Sequence, residues 1–153
     1  MTAAELSAIV CFLYLTFVLG YSAYKDFKTY TIPIEWIVRS GYPLLLIHVI
    51  LFLSIDSCIA RVITAGCVFL VFFLNAKFLG GGGGDAILFP LIPLFCGPVP
   101  GLIIIAGGCI LNVPIHLFRK LHNRTLSFRE IPVVPGVFIM YLLTYVLYWR
   151  FFA

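Results

Sequence analysis

The sequence predicts an all-α integral membrane protein with about six transmembrane helices, one of them short, and with both termini outside. Composition, the spacing of charge-free runs and the placement of basic residues lead to this prediction. Of the 153 residues, 63% are hydrophobic and 10% are charged, and the mean hydropathy is +1.14. A soluble domain carries about 25% charged residues. The composition therefore excludes a soluble enzyme and a nucleic-acid-binding domain, and we expect residues 1–153 to form a single transmembrane domain.

Runs without a charged side chain locate the helices. They cover residues 6–24, 40–55, 62–76, 86–118 and 131–149. A helix needs about 20 residues to cross a hydrocarbon core of about 30 Å, so four of these runs, with their flanks, predict one crossing each. The run 86–118 is too long for one crossing. Its segment 96–101 contains two prolines and two glycines, which interrupt a helix, so we expect a helix pair there.

The basic residues predict the orientation. Of the ten Lys and Arg residues, only Arg61 and Arg150 fall on the side of the termini. The other eight lie in or beside the loops that join helices 1 and 2, 3 and 4, and 5 and 6: Lys25, Lys28, Arg39, Lys77, Arg119, Lys120, Arg124 and Arg129. Because basic loops stay in the cytoplasm, this asymmetry predicts a cell-membrane protein with those three loops inside.

Two aspartates are the candidates for chemistry, since an ionisable group beside hydrocarbon is costly. Asp26 ends helix 1 and Asp85 begins helix 4, so both fall at the predicted cytoplasmic side. Asp85 follows the five glycines 80–84, and a structural interpretation makes it the N-cap of helix 4. A chemical interpretation rests on the length of helix 4. Only about 12 residues, or roughly 18 Å of helix, separate Asp85 from the predicted break, which is about 12 Å less than the hydrocarbon core. If the far end of the helix reaches the outer surface, the Asp85 carboxyl group is recessed below the cytoplasmic surface.

Two aspartates that share one proton can act as general base and general acid around a water molecule. The sequence does not assign which of the two takes which role. Metal-dependent hydrolysis is less well supported, because no His, Cys or acidic residues have the spacing of a three-ligand site. His48 and His116 lie in apolar runs, where we expect packing roles. Cys58 and Cys96 fall at outward helix ends, where a disulfide is possible if helices 3 and 4 are neighbours.

Three motifs resemble those of the type IV prepilin and preflagellin peptidases, which are membrane aspartyl proteases with a Gly-x-Gly-Asp signature. They are Asp-Phe-Lys-Thr-Tyr-Thr-Ile-Pro at residues 26–33, Gly-Gly-Gly-Asp at residues 82–85, and Ile-Pro-Val-Val-Pro at residues 131–135. The small size is similar to the compact, peptidase-only form of the family. The chain departs from the family pattern at Ile34, where Asn is common, and at Ile87, where Lys is common.

The resemblance implies an endopeptidase that cuts the basic leader from type IV prepilin-like or preflagellin (archaellin) precursors at the cytoplasmic membrane face. Such precursors would have a short basic leader followed by a hydrophobic helix, with the cut between the two. The partners of the endopeptidase would be the precursor and the lipid bilayer, without nucleic acid, metal or cofactor. Catalysis would fall to Asp26 and Asp85. The residues implied in substrate approach and in shaping the site are Gly82, Gly83, Gly84, Pro132 and Pro135.

Two alternatives stay open. The first is a non-catalytic scaffold with the same fold, which the departure at Ile87 favours. The second is a small transporter in which Asp26 and Asp85 bind protons or cations. A transporter binds its ion near the bilayer midplane, and the charge-free helix centres count against that alternative.

Overall fold

The computed structural model describes residues 3–79, 82–122 and 132–152. These residues form six helices and, within the same ranges, no strand. The helices are α1 (Ala3–Thr29), α2 (Ile34–Phe52), α3 (Ile55–Leu79), α4 (Gly83–Cys96), α5 (Pro98–His122) and α6 (Val134–Phe152). The predicted all-α architecture of about six helices is confirmed.

Four helices, α1, α2, α3 and α5, are long and apolar enough to cross a membrane. The chain is therefore a multi-pass membrane protein. Helix α4 is shorter, at about 20 Å for 1.5 Å per residue, against a hydrocarbon core of about 30 Å. This confirms that one helix is short. Part of the predicted cytoplasmic charge, including Arg124 and Arg129, lies outside the described residues, and the orientation of the termini stays a prediction.

The predicted helix break falls at a single residue, Gly97. Its φ of +94° is a left-handed value that glycine adopts without steric cost. Pro98 and Pro100 follow in the first turn of α5, where a missing backbone N–H costs no hydrogen bond. Helix α4 also contains a turn at residues 89–90. The charge-free run 86–118 therefore lies in two helices, α4 and α5, which join at Gly97.

Glycines bring α5 and α6 into close contact. A Cβ atom added to Gly136 would lie 2.7 Å from the side-chain amide of Asn112, and one added to Gly107 would lie 2.6 Å from the methyl group of Met140. Gly108 lies directly against the backbone of Val137. Small residues at such crossings let two helices approach closely in a membrane. The α5–α6 pair therefore forms a tight base against which α1 packs, with the ring of Phe12 stacked 4.0 Å from that of Tyr145.

Hydroxyl groups of tyrosines join α2 to its neighbours. The hydroxyls of Tyr14 on α1 and Ser40 on α2 lie 2.6 Å apart. The hydroxyl of Tyr42 on α2 donates to the carbonyl oxygen of Ile87 on α4 at 2.7 Å. Ser40 lies in a π-helical turn of α2, Ile37–Gly41, and Tyr42 follows that turn directly. Such turns are rare in proteins, and those that occur often lie near functional sites.

The far end of α4 is held by Arg61 of α3. Its Nη1 donates to the carbonyl oxygen of Leu94 at 2.9 Å, and also to that of Phe95. These carbonyls lie in the last turn of α4, where no helical N–H is available to them. The cysteines considered for a disulfide, Cys58 and Cys96, are both free. Arg61, and not a disulfide, therefore joins α3 to this end of α4.

Candidate aspartate site

Asp26 lies in the last turn of α1, and only 7% of it is exposed. Its Oδ2 accepts a hydrogen bond from the backbone N–H of Val134 at 3.0 Å. Val134 is the first residue of α6, and the first N–H groups of a helix have no partner inside that helix. The positive end of the helix dipole also favours a carboxylate at this place. The start of α6 thereby fixes the orientation of the Asp26 carboxyl group.

Asp85 lies in the first turn of α4, with 9% of it exposed. The helix begins at Gly83 and Gly82 occupies the N-cap position, so the interpretation of Asp85 as the N-cap is wrong. Its backbone N–H donates to the carbonyl oxygen of Gly82 at 3.2 Å. A Cβ atom on Gly82 would lie 3.2 Å from Oδ2 of Asp85. Because Gly82 has no Cβ atom, another chain can approach its backbone closely beside the Asp85 carboxyl group.

The structure brings Asp26 and Asp85 together. The two carboxyl groups are within electrostatic range of each other, since the charge of Asp26 is felt at Asp85. The chain that follows Asp26 reaches the same place, because a Cβ atom on Gly84 would lie only 2.8 Å from Cβ of Ile32. The segments 26–33 and 82–85, which are far apart in sequence, therefore meet at one end of the helix bundle.

The remaining predicted residues surround this pair. Gly82 and Gly83 are exposed, and no described atom lies within 4 Å of a Cβ placed on Gly83. Pro132 is buried just before α6, and Pro135 is the second residue of that helix. The prediction that residues 131–135 open the last helix is therefore close to the observed start, although Ile131 itself lies outside the described residues.

Asn112 of α5 is a part of the site that sequence reasoning missed. It is 2% exposed, and its Nδ2 donates to the carbonyl oxygens of Gly108 and Val133. Its Oδ1 accepts the N–H of Gly136 at 3.0 Å. The amide thus binds both sides of the α6 start, whose Val134 N–H holds Asp26. One sequence signal could have indicated this role: Asn112 is the single asparagine in the run 86–118. An amide buried in an apolar helix needs hydrogen-bond partners.

In the part of the chain that the structure describes, no three His, Cys, Asp or Glu residues are grouped so that they could hold a metal ion. His48 instead accepts or donates a hydrogen bond with the hydroxyl of Ser7 at 3.0 Å, as expected for a packing role. Chemically, the site offers two buried carboxyl groups at the same end of the bundle, next to exposed glycine backbone.

Comparison with protein families decides the relationship. The sequence model of the type IV leader peptidase family matches residues 13–117, more than half of the chain. The chain belongs to the type IV leader peptidase family. The resemblance inferred from the three motifs is thereby confirmed, and the protein is a protease whose substrate is a precursor protein. No curated protein and no solved structure matches the chain.

The leader peptidase match covers most of the site described above. Asp26, Asp85 and Asn112 all lie within residues 13–117, whereas α6 lies outside them. Helix α6 nevertheless contributes to the arrangement in this leader peptidase, because its first N–H group binds Asp26.

Proposed function

We propose that the protein is a membrane aspartyl endopeptidase that removes the basic leader from type IV prepilin-like or preflagellin precursors at the cytoplasmic membrane face. In this proposal Asp26 and Asp85 activate the attacking water, and residues 1–153 form one peptidase domain. One observation supports it above the others: the two motifs that carry the buried aspartates meet at one end of the bundle, where a Cβ atom on Gly84 would lie 2.8 Å from Cβ of Ile32. Membership of the leader peptidase family supplies the substrate class, a precursor protein.

The chemistry follows from the pair acting as a unit. Two carboxylates side by side and away from water repel each other, so the working state holds one shared proton. The ionised carboxyl group takes a proton from a water molecule, which attacks the peptide carbonyl. The protonated carboxyl group donates its proton to the substrate and helps the amine to leave. The hydrogen bond from Val134 keeps one of the four carboxyl oxygens in place during these transfers.

The peptide strand would reach the aspartates across the glycine backbone. Gly82 and Gly83 are exposed beside Asp85, and the missing side chains leave room for an extended strand. Gly84 has a different role, because it packs against Ile32. Pro132 and Pro135 shape the start of α6 next to Asp26.

The basic residues support a cytoplasmic position for this end of the bundle. Lys25, Lys28, Arg39 and Lys77 all lie near the ends of α1, α2 and α3 that adjoin the aspartates. By the positive-inside rule this end faces the cytoplasm of a cell membrane and the termini face outward. The leader of a precursor, which is basic and remains inside, would lie on the same side.

The transporter alternative is less well supported. Asp26 lies in the last turn of α1 and Asp85 in the first turn of α4, so both carboxyl groups are at helix ends. Ion-coupled transport places its ion site near the bilayer midplane.

Co-expression with prepilin-like precursors from the same genome tests the proposal. The wild-type protein should produce a leader-sized mobility shift in one of them, whereas Asp85→Asn should insert in the membrane and leave the precursor uncut. Asp56→Asn is the matched control, because Asp56 is exposed at the opposite end of the bundle. Processing by Asp85→Asn at the wild-type rate would contradict the proposal and favour another catalytic group.

A further inference from the structure

An apolar groove of about 500 Å³ opens between α2 and α3, with α4 as its floor. Among its lining side chains none is charged, and only Tyr42 has a polar group, which already donates to the Ile87 carbonyl. The lining residues are Val38, Tyr42, Leu46, Val62, Ala65, Gly66, Phe69, Ile87, Pro90 and Leu94. The groove therefore offers no partner to a polar ligand and suits an apolar one.

The groove is open because α3 packs on α4 more than on α2. In the apolar span of α3 only 11% of the residues are buried, against 33% in the span of α1. No described atom lies within 4 Å of a Cβ placed on Gly66. Ala65 has only a methyl side chain and Gly66 has none, so neither fills the groove. Small residues of this kind let another helix approach closely in a membrane.

The groove and the aspartate site share helix α4. Its floor residues Ile87, Pro90 and Leu94 line the groove opposite α2 and α3, and Asp85 lies two residues before Ile87 on the same helix. Residues two apart on a helix lie on roughly opposite faces, so Asp85 lies on the face of α4 away from the groove. A chain that leaves the groove must therefore cross the start of α4. About three extended residues at ~3.3 Å each cover the ~10 Å width of a helix.

We propose that this groove binds the hydrophobic helix of the precursor, on the carboxyl side of the bond that is cut. The inference rests on the proposed function. A helix in the groove would start level with Asp85, and its extended amino-terminal end would cross the exposed glycines Gly82 and Gly83 to reach the two carboxyl groups. An apolar helix satisfies its own backbone hydrogen bonds, which fits a lining without free polar groups. The groove extends about two turns, or ~11 Å, along each of its three helices.

Filling the groove from α3 tests the inference with little risk to the fold. Gly66→Leu adds a side chain into open space, and leucine also has a higher helix propensity than glycine. We expect this variant to raise the KM for the full-length precursor at least tenfold in proteoliposomes, with a smaller change in kcat, and Gly66→Ala to have an intermediate effect. Ala60→Leu is the matched control, because Ala60 is exposed on the same helix and does not line the groove.

The outcomes separate the inference from the proposed function. If the wild-type protein cuts no precursor, the proposed function fails. If the wild-type protein cuts the precursor and Gly66→Leu does so with an unchanged KM, the groove is not the docking site. Thermal unfolding in detergent should show that Gly66→Leu is at least as stable as the wild-type protein, which excludes misfolding as the cause of a raised KM.

Photo-crosslinking identifies the occupant directly. The crosslinker is a benzophenone amino acid in place of Phe69, in the Asp85→Asn variant, which we expect to bind precursor without cutting it. It should crosslink to the hydrophobic helix of added precursor. The same group in place of Val71, which is exposed on α3 two residues from Phe69 and outside the groove lining, should give at least fivefold less of this product. Crosslinks from position 69 to lipid alone, in the presence of bound precursor, would show that an acyl chain occupies the groove and would overturn the inference.

Discussion

Removal of the Arg61 side chain should destabilise the end of α4 that lies opposite Asp85. The guanidinium group donates to the carbonyl oxygens of Leu94 and Phe95, and it lies beside Gly97, where the helix ends. These carbonyls lie in the last turn of α4, where no helical N–H is available to them, so they depend on a donor from another helix. Arg61→Met keeps most of the length of the side chain and removes every donor.

The size of the effect follows from the two acceptors. A buried polar group that loses its partner costs about 1–3 kcal/mol, so two carbonyls predict a loss of about 2–6 kcal/mol in the free energy of unfolding. Arg61→Lys retains one charged donor group without the planar fork and should lose roughly half as much. Since α4 also carries Asp85, we expect activity to fall more than tenfold in Arg61→Met molecules that remain folded, because small displacements of a catalytic group are costly.

Unfolding of the purified variants in detergent micelles measures this loss. Arg39→Met is the control, because Arg39 is exposed and a surface substitution changes stability by only about 0.5 kcal/mol. If Arg61→Met were as stable as Arg39→Met, the two hydrogen bonds would not hold the end of α4.

Three further predictions concern the site itself. Asn112→Ala removes the amide that holds the start of α6, so it should cost about 1–3 kcal/mol in unfolding experiments and lower precursor cleavage at least tenfold; unchanged cleavage would remove Asn112 from the site. Gly83→Val should leave stability unchanged and reduce kcat/KM, because no described atom lies within 4 Å of its Cβ. Gly84→Val should instead destabilise the fold by about 1–3 kcal/mol through overpacking against Ile32, and equal stability of the two variants would refute this contrast. The rate of precursor cleavage should fall on both sides of a pH optimum, since acid protonates the general base and alkali removes the proton of the general acid. Cleavage should also persist in EDTA. Inhibition by EDTA that zinc reverses would contradict a metal-independent dyad.

Local sequence signals were sufficient for the architecture. Charge-free runs and the Pro- and Gly-rich segment 96–101 are local features, and they predicted six helices and the break that the structure places at Gly97. The start of α4 was predicted less well. A run of five glycines has no periodic pattern that marks a helix boundary. The observed helix starts at Gly83, next to the contact of Gly84 with Ile32, which is more than 50 residues earlier in the chain.

The site was predictable only where motifs mark it. Asp26 and Asp85 stood out because charged residues are rare in this sequence. Asn112 and Arg61 act on backbone groups of other helices, and nothing in their own neighbourhood in sequence indicates those partners. The groove depends on the spacing between α2 and α3, which hydropathy does not determine.

The dependence of the two aspartates on each other is the most direct test of the proposed chemistry. Cleavage of a prepilin-like precursor in proteoliposomes should be measured by mass spectrometry for the wild-type protein, for Asp26→Asn, for Asp85→Asn and for the double variant. If the two carboxyl groups share one proton and act as a unit, each single variant should lose at least 100-fold in rate and the double variant should lose no more than either one, because residues that act together are strongly non-additive. A single variant with wild-type activity, or losses that multiply in the double variant, would contradict the dyad.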